Sequence, residues 1–236
     1  MSTPVSIITG AGSGIGRATA RMLAEHGHHV VLVGRTEHKL ADVSDDVRVI
    51  GSGDVMAVTA DVSKSDTATD VVRQTIERFG RVDNLVNAAG IAPRVPIEQT
   101  TKDILEQTFS INTFGPAFLI VACWPHFRKQ RAGCVVNIST LGVMDPFPGF
   151  LAYAASKSAV DSFTRSVARE GKSIGVRSFC VNPGYVETPL MRLIFPVSEV
   201  PRERVMPPEA VADLIVQCIH GKRDADNGQS IPFPGP

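Results

Sequence analysis

The sequence predicts an α/β fold, a single doubly wound parallel sheet with helices on both faces. Six short β-rich apolar runs carry the first part of that expectation: Val5–Thr9, His29–Val33, Val55–Ala60, Asn84–Asn87, Cys134–Ile138 and Val176–Val181. Longer segments of helical spacing separate them, and such alternation places parallel strands beneath helices on both sides. No internal repeat, low-complexity tract or linker breaks the pattern, so residues 1–236 are expected to form one domain with a sizeable core.

The first run passes directly into Gly10-Ala-Gly-Ser-Gly-Ile-Gly16 and then into a helical pattern through Arg17, Ala20, Met22 and Leu23. Glycines at a strand-to-helix turn let the backbone approach a pyrophosphate, while the N–H groups and dipole of the helix start attract its charge. Gly10, Ser13, Gly14, Ile15 and Gly16 are therefore candidate cofactor-binding residues. The common dinucleotide fingerprint is not met, because the sixth position from Gly10 is Ile15.

The second run leads to Gly34-Arg35, after which Glu37–Gly53 shows helical spacing that fades into Gly51-Ser-Gly53. Asp61-Val62 follows the third run, Asn87-Ala-Ala-Gly90 the fourth, Asn137-Ile-Ser-Thr140 the fifth and Asn182-Pro-Gly-Tyr-Val-Glu-Thr188 the sixth. Phe114–Trp124 is too short to cross a bilayer and runs into the charged His126–Arg131, so it reads as a buried helix. The end, Gln229–Gly235, offers a final strand that its prolines confine to an edge or cut short. Ligands of such sheets bind beyond the carboxyl ends of the strands, where Thr9, Gly34, Asp61, Asn87, Thr140 and Pro183 converge.

Twenty-four acidic residues balance 24 basic ones, and no basic block is long enough to follow a phosphate backbone, which argues against a nucleic-acid partner. Cys123, Cys134, Cys180 and Cys218 lie far apart without metal-ligand spacing and read as buried free thiols. His26, His28, His29, His38, His126 and His220 read as surface or satisfied structural residues, and no metal is expected. Met1-Ser-Thr-Pro has neither a basic region nor an apolar signal segment, so a cytoplasmic protein without a membrane partner is expected.

Leu151–Val160 reads as helix and sets Tyr153 and Lys157 on one face. A free tyrosine has a pKa about three units above neutrality, and a nearby cation lowers it. The pair can thus move a proton.

Taken in order, Thr-Gly-x-x-x-Gly-Ile-Gly, Asp61-Val62, Asn87-Ala-Ala-Gly90, Asn112, Asn137-Ile-Ser-Thr140, Tyr153-x-x-x-Lys157 and Asn182–Thr188 make the chain resemble the short-chain dehydrogenase/reductase family over nearly its whole length. The resemblance implies a Rossmann-type fold and an NAD(P)-dependent oxidoreductase that moves a hydride between a nicotinamide and a ketone or secondary alcohol. It implies Tyr153 as general acid and base, and Lys157 as the cation that lowers its pKa and binds the nicotinamide ribose. Asn112 would perturb its helix to hold a water linking Lys157 to solvent. The family usually places a serine thirteen residues before the tyrosine. That position is Thr140 here, and counting from Asn137 also selects it, whereas counting back from Gly142 selects Ser139, so both hydroxyls are candidates.

By the same resemblance Asp61 and Val62 meet the adenine, with helix capping the rival role of Asp61. Asn87, Ala88 and Gly90 let backbone approach the ribose, and Asn87 can also tie the sheet together. Pro183 and Gly184 turn the chain so that Val186 and Thr188 reach the nicotinamide amide and pyrophosphate. Gly34 stands where an NAD-preferring relative carries an acid, and Arg35 can pair with a 2′-phosphate, which favours NADP(H) and leaves NAD(H) open. Ser13, where many NADP-preferring relatives carry a second basic residue, weighs against it.

Leu141, Val143, Met144, Pro146, Phe147, Phe150, Leu151, Leu190, Met191, Leu193, Ile194 and Phe195 suggest a hydrophobic small-molecule substrate; Arg94 and Arg192 can meet an acidic substrate group, with solvent-facing charge the favoured role for each. Helices near Thr101–Arg131 and Ala152–Gly171 are expected side by side, and in the family such helices pair copies into homodimers or a homotetramer. Two other functions share these motifs: a non-catalytic module that senses the cofactor, and an epimerase or dehydratase that retains it.

Overall fold

Parallel strands stack in the order that the βα alternation requires. In chain order they are β1 (Val5–Thr9), β2 (His29–Gly34), β3 (Val55–Thr59), β4 (Asn84–Asn87), β5 (Gly133–Ile138), β6 (Val176–Pro183) and β7 (Ser230–Phe233). The computed structural model describes residues 3–51 and 53–236; Met1, Ser2 and Ser52 lie outside the described residues, and with them part of the expected N-terminal and Gly51-Ser-Gly53 readings. The described strands form one seven-stranded sheet of order β3-β2-β1-β4-β5-β6-β7, parallel throughout. β7 lies on the outer edge beside β6, and there Pro232 needs no ladder donor on its open side.

Among the described residues eight α-helices surround the sheet: α1 (Gly14–Glu25), α2 (Glu37–Ile50), α3 (Ser65–Phe79), α4 (Lys102–Phe109), α5 (Gly115–Gln130), α6 (Leu151–Gly171), α7 (Pro189–Ile194) and α8 (Pro208–Ile219). The ambiguous segment after β2 is thus helical to Ile50 and ends at extended Gly51. Alternate side chains of each strand enter opposite cores. Ile8, Val30, Leu32, Val136 and Val181 pack with α1, α2 and α8, whereas Ile7, Val31, Val33, Leu85 and Val135 pack with α3 and α5. Phe114–Trp124 is not buried all round as expected, because Phe114 is 49% and Val121 71% exposed. No helix among the described residues is long and apolar enough to cross a membrane.

The strand order turns back between β1 and β4, the position where open α/β sheets leave a crevice. Thr9 fixes its walls: its hydroxyl accepts the backbone N–H groups of Ala88 and Ala89, both at 3.1 Å, and donates to the Val86 carbonyl at 3.4 Å.

Candidate functional site

Two cavities open above the carboxyl ends of the strands and share Gly90 as a wall. The smaller, about 220 Å³, is bounded by Gly10, Gly12, Ser13, Gly34, Arg35, Asp61 and Val62. The larger, about 370 Å³, is bounded by Ile15, Ala88, Thr140, Tyr153, Lys157, Pro183, Gly184, Val186 and Thr188.

The glycine turn is shaped for close approach. A Cβ on Gly16 would stand 2.4 Å from the Gly10 carbonyl oxygen, and Gly10 itself has φ +65° with the Ala89 backbone 2.9 Å from where its Cβ would be. Both sites demand glycine. Ser13 is the extended N-cap of α1 but makes no side-chain cap, and no acid lies in the first turn. The first N–H groups of α1 therefore remain available to an anion beside a positive helix end. This cradle fits the pyrophosphate of a nicotinamide dinucleotide. Gly14 packs against Thr188, whose side chain would lie 2.9 Å from a Gly14 Cβ, so the sixth strand's loop closes over the same turn.

Two residues that the sequence reading passed over complete the smaller cavity, Thr36 and Lys39. Lys39 enters the first turn of α2 beside the glycine loop, its Cβ 3.0 Å from a Cβ built on Gly12. It adds a basic residue to the wall of that cavity. Asp61 does not cap α3, whose N-cap is Lys64: its Oδ1 accepts the Ser63 N–H at 3.0 Å in a turn ahead of the helix, and the residue walls the cavity. Burial opposes its ionisation, but the bonds from Ser63 and the charges of Arg35 and Lys64 outweigh this and hold the carboxyl below its usual range.

Asn87 walls neither cavity. It is 2% exposed and its Nδ2 donates to Asn137 Oδ1 at 2.9 Å across β4 and β5, so its side chain ties the sheet rather than meeting a ribose. Asn137 in turn donates to Thr164 on α6 at 2.9 Å, locking that helix over the strand ends.

Asn112 lies in a π-turn, Ser110–Phe114, that joins α4 to α5 where one long helix was expected. The turn points its amide inward: Oδ1 accepts the Ile91 N–H at 2.9 Å, and Nδ2 donates to the Ile91 carbonyl at 2.8 Å and to Ser156 Oγ at 3.0 Å. A Cβ on Gly90 would lie 3.2 Å from Asn112 Oδ1 and 3.5 Å from Lys157 Nζ, so the amide and the ammonium flank the same glycine.

The adjacent hydroxyls of β5 part company. Both border the larger cavity, but Ser139 is 2% exposed and donates to the Lys157 carbonyl at 3.3 Å, whereas Thr140 accepts the Gly142 N–H at 3.1 Å and stabilises the ionised form of Tyr153. Extended backbone at this point sends the two to opposite sides. The Thr140 carbonyl accepts from Asn182 at 3.3 Å, and Asn182 also donates to Asp161 of α6 at 3.0 Å.

The electrostatics of the tyrosine and lysine differ from expectation. Burial pushes the Tyr153 phenol up to about 12, with Thr140 the only opposing influence, and Lys157 is not among its causes. Burial likewise pulls the Lys157 ammonium down to about 8, opposed by Cys180 and Asp161. Desolvation penalises both charges. Lys157 Nζ donates to the Ile138 carbonyl at 2.7 Å, which leaves two further donors.

Phe147, Phe150, Tyr185 and Phe195 form an aromatic wall with ring centroids 5.3 to 6.4 Å apart, joined by Leu141, Leu190, Met191 and Ile194. Val143, Met144, Pro146, Leu151 and Leu193 lie outside this wall, with Met144 73% and Leu193 84% exposed. Arg94 and Arg192 are held rather than free in solvent: Arg94 pairs with Glu199 at 2.6 Å, and Arg192 grips both oxygens of Glu187 at 2.7 and 2.5 Å and donates to the Val200 carbonyl at 2.6 Å. Tyr185 and Arg204, which the sequence reading did not single out, also line the cavity.

Away from the site, Cys123, Cys134, Cys180 and Cys218 are free and buried. His26, His28 and His220, read as scattered, are brought together between the ends of α1 and α8.

The sequence profile of the short chain dehydrogenase family matches residues 4–197. A short chain dehydrogenase of Pseudocercospora fijiensis is 37% identical over 187 residues, 78% of this chain and 60% of that protein. An 11-beta-hydroxysteroid dehydrogenase A of Sesamum indicum is 39% identical over 189 residues, 79% of this chain and 53% of that protein. The chain therefore spans little more than half the length of either. Among solved structures, a levodione reductase superposes with a TM-score of 0.91 at 28% identity, over 98% of this chain and 96% of that one.

Proposed function

The chain belongs to the short-chain dehydrogenase/reductase family, and from that premise we propose that it reduces a hydrophobic ketone, or oxidises the matching secondary alcohol, with NADP(H) as the favoured cofactor. The convergence of Tyr153, Thr140 and Lys157 on one cavity, continuous through Gly90 with the glycine cradle, carries this reading. Residues 1–236 would act as one cofactor-binding and catalytic domain.

When bound, the nicotinamide supplies or accepts the hydride and its oxidised ring adds a positive charge. Tyr153 gives its phenolic proton to the substrate oxygen during reduction and takes it back during oxidation. Thr140 donates to the same oxygen and steadies developing charge, while its neighbour Ser139 anchors β5 to α6. Lys157 spends one donor on Ile138 and offers the others to ribose hydroxyls beside Gly90. Asn112 fixes Ile91 and Ser156 and so sets the floor on which the lysine stands, with an Oδ1 lone pair left for water.

Arg35 and Lys39 flank the smaller cavity where Gly34 contributes no acid, which supports a 2′-phosphate rather than a bare ribose at that end. Exposed Leu105, Phe114, Val121 and Leu151 on α4, the π-turn, α5 and α6 support pairing between copies of the chain, as a homodimer or homotetramer in the cytoplasm. A screen of ketones with NADPH and NADH, followed by nicotinamide absorbance and repeated with Tyr153→Phe, tests the assignment. Consumption of NADPH that stops in the variant supports it; a variant of full activity overturns the proton donor.

A further inference from the structure

Arg204, itself exposed, lines the larger cavity, and no aspartate or glutamate pairs with it among the described residues. Neither an aspartate nor a glutamate side chain lines that cavity, whose walls are mostly aromatic and aliphatic. Other arginines of the region are engaged: Arg192 of α7 with Glu187 and the Val200 carbonyl, Arg94 of the segment after β4 with Glu199 and the face of Phe195 at 4.9 Å, and Arg202 lies in the field of Glu187. Among the described residues Arg204 makes no ion pair.

Its backbone is nonetheless fixed. The Arg204 N–H donates to the Pro201 carbonyl at 3.1 Å, and two residues later Met206 bridges to Val186, its N–H bound to the Tyr185 carbonyl at 3.0 Å and its carbonyl to the Glu187 N–H at 2.9 Å. The segment that walls the cavity therefore also sets where the guanidinium starts. An uncompensated guanidinium beside apolar walls is a site for a carboxylate, which it can hold with two parallel hydrogen bonds.

The geometry points to a substrate with two ends: an apolar, aromatic-sized body whose carbonyl meets Tyr153, and a carboxylate that Arg204 holds at the mouth. The carbonyl end rests on the oxidoreductase reading; the anion end stands on the cavity alone. A charge-assisted pair at this partly solvated position is worth about tenfold in affinity.

Two measurements separate the ends. Calorimetric binding of para-tert-butylbenzoate is compared with para-tert-butylbenzyl alcohol, and NADPH-dependent turnover of para-acetylbenzoate with its methyl ester, for the wild-type enzyme, Arg204→Gln, Arg204→Lys and Tyr153→Phe. The expected result is a preference for the acid of about tenfold in both measurements, lost in Arg204→Gln and partly kept in Arg204→Lys. Tyr153→Phe should keep the binding preference and lose turnover. A wild-type ratio near one, or a preference that survives Arg204→Gln, overturns the anion site. Binding of the benzoate without reduction of either ketone counts against the oxidoreductase reading and leaves the anion site standing.

Discussion

Ser139 donates its hydroxyl to the backbone carbonyl of Lys157 at 3.3 Å, so that hydroxyl is tied to α6 even though the residue borders the larger cavity beside Thr140. The two neighbouring hydroxyls can then be told apart by what their loss changes. Thr140→Val should lower kcat about 10- to 100-fold with little change in melting temperature, because it removes a donor aimed at developing charge. Ser139→Ala should lower the melting temperature and leave kcat within about twofold, since it deletes one buried hydrogen bond worth about 1 kcal/mol. Steady-state kinetics and thermal unfolding of both variants check this; loss of turnover in Ser139→Ala alone would falsify the division.

A second expectation concerns Tyr153 itself. Burial holds its phenol near 12, and Lys157 is not among the influences on it. Titrated by tyrosinate absorbance, wild-type protein minus Tyr153→Phe should show no ionisation at pH 10.5, where an exposed tyrosine is mostly ionised. Lys157→Met should leave that difference unchanged. Ionisation of Tyr153 below pH 10 in the wild type, abolished in Lys157→Met, would mean that the lysine charge overrides burial.

The sheet was legible because the inner strands of a parallel α/β fold are buried on both faces and so form apolar runs. Of the two edge strands, β3 kept an apolar run although Ala57 and Thr59 are exposed, and β7, short and carrying Pro232, gave a weaker signal. The glycine turn and the tyrosine-lysine pair were legible for a similar reason: their chemistry depends on local spacing within one element. Three features were not. The partner of Ser139 depends on which helix lies beside it, so its bond to α6 could not be read from spacing. Lys39 became a cavity wall only when α2 folded against Gly12. The tyrosine's acidity depends on how deeply the helix is buried, which spacing does not record.

Lys39 and Arg35 lead to a prediction on cofactor choice. Arg35→Ser and Lys39→Ser should each raise the KM for NADPH about tenfold while moving that for NADH less than twofold, because the lost charge-assisted bonds reach only the 2′-phosphate. Gly34→Asp should add repulsion and invert the preference. Equal changes toward both cofactors in Arg35→Ser and Lys39→Ser would show that these side chains hold the adenine or the pyrophosphate instead.

Acid should loosen the fold through His28. Its Nδ1 meets Ser6 Oγ at 2.9 Å, and its Nε2 meets His220 Nε2 at 3.3 Å. Asn84 donates to the same Ser6 Oγ at 2.9 Å, so the ring sits in a buried polar network. Burial, then the charges of His220 and His26, lower the His28 pKa from 6.5 to about 4, against a smaller opposing pull from Asp83. Between those values the unfolded chain binds more protons than the folded one, so stability is present above pH 6.5 and falls as pH drops toward 4. The loss attributable to this side chain is about 2 to 3 kcal/mol. Urea midpoints for wild type and His28→Asn at several pH values across that window measure it: the variant should start lower at neutral pH and fall less steeply. Parallel slopes in the two proteins would move the acid sensitivity to other groups.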